Sequence, residues 1–107
     1  MQHLSPQEID KLINQIGAYT LVADATKSEV RVNPIDWATG SKSPSRKQMV
    51  KLCVLKEVMD IVIARIGQAK ARQWLEGVSA PSASESPLQL IRNGKYEEVR
   101  RSAQNTS

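Results

Sequence analysis

Apolar side chains recur at helical spacing from the start of the chain. Ile9, Leu12, Ile13 and Ile16 fall at i, i+3, i+4 and i+7, one stripe of a 3.6-residue repeat. Ser5-Pro6-Gln7-Glu8 precedes the stripe and reads as a helix start. The serine can accept a backbone N–H, the proline fits where its missing N–H had no partner, and the acid suits the helix dipole. Gly17 ends this helix. Tyr19 to Lys27 predicts a second, short helix with Leu21, Val22 and Ala25 on its apolar side. Over Ser28-Glu29-Val30-Arg31-Val32 the reading is ambiguous, because Val30 and Val32 alternate as a strand would. Asn33-Pro34 opens another helix of barely two turns before Gly40, and Ser41-Lys42-Ser43-Pro44 is a polar connection.

Ser45 then caps a long helix that runs to Arg65 or Ile66 and stops at Gly67. Met49, Leu52, Leu55, Val58, Met59, Val62 and their apolar neighbours cover more than half of its circumference, the pattern of a helix buried from several sides. At 1.5 Å per residue it is about 30 Å long, a central beam between the N-terminal helices and the segment around Trp74. Alternatively, part of its apolar surface is a homodimer face. Gln68 to Glu76 predicts a further helix ending at Gly77, and a small-residue loop follows to Glu85. Ser86-Pro87 starts another helix, Gly94 ends it, and Lys95-Tyr96-Glu97-Glu98-Val99 comes next. Trp74, Leu75, Leu88, Ile91, Tyr96 and Val99 are placed to close one apolar patch across the loop. From Arg100 onward the large apolar groups vanish, which predicts a solvated, fraying tail. The fold class is all-α: a small helical bundle of about six helices around one long central helix. Residues 1–44 form its N-terminal region, and 45–107 hold the central helix and C-terminal region.

Composition narrows the function. A chain of 107 residues forms one domain, or one domain with a small appendage. Phenylalanine is absent and aromatics make up 4%, so aliphatic side chains must fill the core. The sequence contains no run of ~20 apolar residues, the length a membrane span needs, and the N-terminus lacks a basic region followed by an apolar one. Cytoplasmic residence is the expectation. Cys53 is the single cysteine, so no internal disulfide forms; among Leu52, Val54 and Leu55 it reads as a buried, inert thiol. The lone His3 offers no metal site and no partnered base. With no glycine-rich phosphate loop, no Cys-x-x-Cys and no nucleophile beside a base, an enzyme is not expected, nor is a cofactor. Binding is what remains.

The net charge of +4 is unevenly spread. Lys42, Arg46, Lys47, Lys51 and Lys56 follow one another with no acid between them. If the N-terminal half binds an operator, Lys42, Arg46 and Lys47 are the phosphate contacts, with Arg31 nearby and Asn33 facing a base edge. The segment Trp37-x-x-Gly40-x-x-x-Pro44 resembles the closing part of an Xre-type helix-turn-helix, which implies a degenerate helix-turn-helix over residues 1–44. A short supporting bundle is the alternative.

A second resemblance covers Gln68 to Val99. Trp74-Leu75, a loop of small residues, Ser86-Pro87-Leu88-x-Leu90-Ile91 and Gly94-x-Tyr96-x-x-Val99 resemble the C-terminal toxin-binding domain of MbcA/ParS/Xre-type antitoxins. The family's Pro-Asn after the tryptophan helix is replaced here by Ala80-Pro81-Ser82. The resemblance implies a RES-domain toxin as partner, an NAD-consuming enzyme whose pocket the antitoxin covers. The implied toxin-binding set is Trp74, Pro87, Leu88, Arg92, Gly94, Tyr96, Glu97, Glu98, Val99, Arg100 and Arg101. Trp74 and Leu88 would mainly hold the subdomain together, while Tyr96 and Arg92 make contacts. A homodimer or a hetero-oligomer with the toxin is expected, with operator DNA as a second partner. A regulator without a toxin, or a helical adaptor, also fits the residues. On this reading, truncation after Asn93 leaves a folded protein.

Overall fold

Helix starts govern the architecture. The computed structural model describes residues 3–28, 33–77 and 85–106. Seven α-helices lie among them: α1 (Pro6–Ile16), α2 (Tyr19–Ala25), α3 (Asn33–Thr39), α4 (Arg46–Ile66), α5 (Gln68–Glu76), α6 (Pro87–Arg92) and α7 (Tyr96–Gln104). No strand occurs among the described residues. Ser5, Ser45 and Ser86 start α1, α4 and α6 by one device. Each hydroxyl accepts the N–H of the third helical residue, while Glu8, Gln48 or Gln89 reaches back to the serine N–H. This reciprocal pair satisfies two otherwise orphaned donors. In Glu8 the bonds from Ser5 also hold the carboxyl below its usual range.

The central beam is present. Helix α4 buries Met49, Leu52, Val54, Leu55, Val58, Met59 and Val62, and it packs against α2, α5, α6 and α7. Its 21 residues span about 31 Å of a molecule 38 Å in its longest dimension. The N-terminal segment reaches it through the Leu4 amide, which lies 3.4 Å from the Met49 sulfur, and through Gln15, whose amide donates to Asp60. Helix α1 packs chiefly on α3, so a single apolar cluster runs from Leu4 through Trp37 and α4 to Ala103. No described helix is long and apolar enough to cross a membrane.

Three expectations change. Helix α2 stops at Ala25, and Lys27 follows with a left-handed φ of 58°. The strand-or-helix question at Ser28–Val32 falls mostly outside the described residues, as does Arg31. The predicted solvated tail is instead the body of α7, which continues through Arg100 and Arg101 to Gln104. Val99 and Ala103, one turn apart, are fully buried, and Arg65 donates to the Thr106 carbonyl. An alanine suffices here because a small side chain lets two helices approach closely. For the same reason a chain cut after Asn93 loses part of its core.

Candidate protein-binding surface

The C-terminal unit is pinned at two points. Gly77 ends α5 at φ 83°, and a Cβ added there would lie 2.9 Å from the Ser86 Cβ. The end of α5 and the cap of α6 therefore touch, and the intervening residues 78–84 fall outside the description. The second pin is Glu85. Its carboxylate accepts from the Asn93 side chain at 2.7 Å and from the Lys95 ammonium, which clamps the start of α6 to the α6–α7 turn. Gly94 turns the chain there at φ 78°.

These pins sort the eleven implied contact residues. Trp74, Pro87 and Val99 are buried, with Val99 fully inaccessible. They build the unit and offer little to a partner. Leu88 and Tyr96 are half-buried against the core, and burial pushes the Tyr96 phenol above its ordinary value. Tyr96 thus has less free area than the sequence suggested. Arg92, Gly94, Glu97, Glu98 and Arg101 are exposed. Arg100 is engaged within the chain, 2.7 Å from Glu57 on α4 and 3.9 Å from Glu97. Glu97 and Glu98 stand in the first turn of α7, where the helix dipole favours acids. The surface available to a protein is therefore polar and charged, over an apolar frame.

The described members of the predicted DNA contacts differ in how far they are engaged within the chain. Asn33 is half-buried and its amide donates to the Ser28 hydroxyl at 2.9 Å, so it is already engaged. Lys42 lies 3.9 Å from Asp36. Arg46 and Lys47, the first two residues of α4, are exposed. Cations there face the positive end of the helix dipole, a position that local helix physics disfavours. Sequence reasoning missed Glu85 and Glu57, whose partners are distant in sequence, and it did not associate Lys51 with Lys27.

Cys53 is half-buried and its thiol is pushed up by burial, away from the reactive thiolate. No group of three or more His, Cys, Asp or Glu side chains among the described residues is arranged to hold a metal ion. Comparison with protein families, curated proteins and solved structures finds no match to this chain.

Proposed function

We propose that this chain is the antitoxin of a type II toxin–antitoxin pair and neutralises an NAD-consuming RES-domain toxin by covering the mouth of its nucleotide pocket. The observation that carries the reading is the residue pattern from Trp74-Leu75 through Ser86-Pro87-Leu88 to Gly94-x-Tyr96-x-x-Val99. Its apolar members build α5, α6 and α7, while Arg92, Glu97, Glu98 and Arg101 stay exposed beside them. A pocket that accepts a dinucleotide needs cations for two phosphates. The exposed acids of α7 can pair with such cations, and Arg92 and Arg101 with acids at the rim.

Co-expression with a RES toxin in a growth assay tests this. The intact chain should rescue growth. An Arg92→Ala/Glu97→Ala/Glu98→Ala variant should not, although its melting temperature stays near that of the parent because all three side chains are exposed. Full rescue by the variant would remove this surface from the mechanism.

Operator binding for autoregulation is the second reading. It is favoured by Arg46 and Lys47, exposed at the start of α4 and engaged in no ion pair among the described residues.

A further inference from the structure

Four cations from three separate helical segments converge on one side of the molecule. Lys27 follows the last turn of α2, Lys47 and Lys51 stand one turn apart on α4, and Arg92 is the last residue of α6. Helices α2, α4 and α6 pack against one another pairwise. Asp24 lines an open groove together with Arg92 and Asn93, so the C-terminal ends of α2 and α6 lie side by side. Lys51 is half-buried on α4. Its proton affinity is lowered first by that burial and then by the charges of Lys27, Lys47 and Arg92.

No ion pair among the described residues offsets this concentration of charge. Among the described residues Lys42, Lys56, Arg72, Lys95 and Arg100 each have a carboxylate within 4 Å, whereas none of the four converging cations has one. The groove does contain acids, but Glu85 is already held by Lys95 and Asn93, and Asp24 makes no ion pair with the cluster. Like charges gathered without counterions destabilise a folded chain and attract an external anion.

We propose that this composite surface of Lys27, Lys47, Lys51 and Arg92 binds the phosphate backbone of duplex DNA. The inference deepens the operator-binding reading and rests on it, and it shares Arg92 with the proposed toxin-facing surface. Three of the four cations are lysines, which are depleted at protein–protein interfaces yet serve well as point charges for phosphates. Single strands are bound through exposed aromatic platforms. Here both tryptophans are buried, Tyr96 is half-buried, and Tyr19 begins α2 at the end opposite Lys27. Backbone phosphates in a duplex require only the charges. Arg46, next to Lys47, extends the surface toward the start of α4.

Fluorescence anisotropy of the full chain with a labelled, mixed-sequence DNA duplex, titrated across salt concentrations, tests the surface. A Lys27→Gln/Lys51→Gln/Arg92→Gln variant should bind at least about tenfold more weakly, with a log–log salt slope shallower by about 2–3, near 0.9 per lost phosphate contact. A Lys27→Arg/Lys51→Arg/Arg92→Lys variant retains the charges and should bind like the parent. Circular dichroism should show both folded. No duplex binding by the parent at low salt overturns this surface and the operator reading together. Parent-like affinity and slope in the glutamine variant, with loss on Lys42→Ala/Arg46→Ala, overturns this surface alone. Equal weakening in the charge-retaining variant refutes the electrostatic assignment, and tighter binding of one strand than of the duplex refutes the choice of ligand.

Discussion

Glu85 shows how one side chain can tie together the two ends of a short helix. Hydrogen bonds from Lys95 and then Asn93 hold its carboxyl below the ordinary value of 4.5. The same contact raises the Lys95 ammonium above 10.5. An acid with a depressed folded-state value stabilises the fold fully above its unfolded value and loses that contribution as pH falls through the folded one. The Glu85 contribution is therefore complete above 4.5 and fades below it, whereas that of Lys95 is complete below 10.5 and fades above it. Glu85→Gln should make the melting temperature fall less steeply than in the parent between about pH 5 and pH 3. A series of thermal melts across that range measures it, and some slope should remain because Glu8 is depressed in the same way. None of this pairing was legible in the sequence. Side-chain spacing rules on a helix extend three or four residues, whereas Glu85 reaches Lys95 across a whole helix and Arg100 reaches Glu57 over 43 positions.

At the scale of elements, punctuation mattered more than periodicity. Ser5-Pro6 and Gly17 bound α1 where the sequence predicted, Ser45 and Gly67 do so for α4, and Ser86-Pro87 starts α6. These signals are local, so they can be read without knowing the partners of each helix. The end of α7 could not be read that way. Its buried stripe is Val99 and Ala103, and an alanine reveals its burial only when the facing helix is known. The glycines that end helices differ in a testable way. Gly77 and Gly94 both hold a left-handed φ, but an added Cβ meets Ser86 at the first and no heavy atom within 4 Å at the second. Gly94→Ala should cost about 1–2 kcal/mol through backbone strain alone. Gly77→Ala should cost about 1–3 kcal/mol more, because the cap of α6 must also shift. Urea denaturation of the two variants gives the difference directly.

At the scale of the molecule, the C-terminal helix belongs to the core. Removing everything after Asn93 strips α7 from α4 and α6, together with two fully inaccessible side chains and the Arg100–Glu57 pair. The loss should be several kcal/mol, a large part of the roughly 5–15 kcal/mol that holds a domain together. The truncated chain should melt far below the parent, or without a cooperative transition, when followed by circular dichroism. Failure of that truncation to neutralise a toxin would then report unfolding, which is why substitutions at exposed positions are the sharper functional test. The meeting of Gly77 with Ser86 has a different consequence. The end of α5 and the cap of α6 stand at nearly the same place, so the connection between them has only a short gap to close. Doubling its length adds only about 0.6 kcal/mol of closure entropy. A reporter peptide inserted there would leave both flanking helices in register. A chain opened there would yield two fragments that share one core and can therefore find each other again.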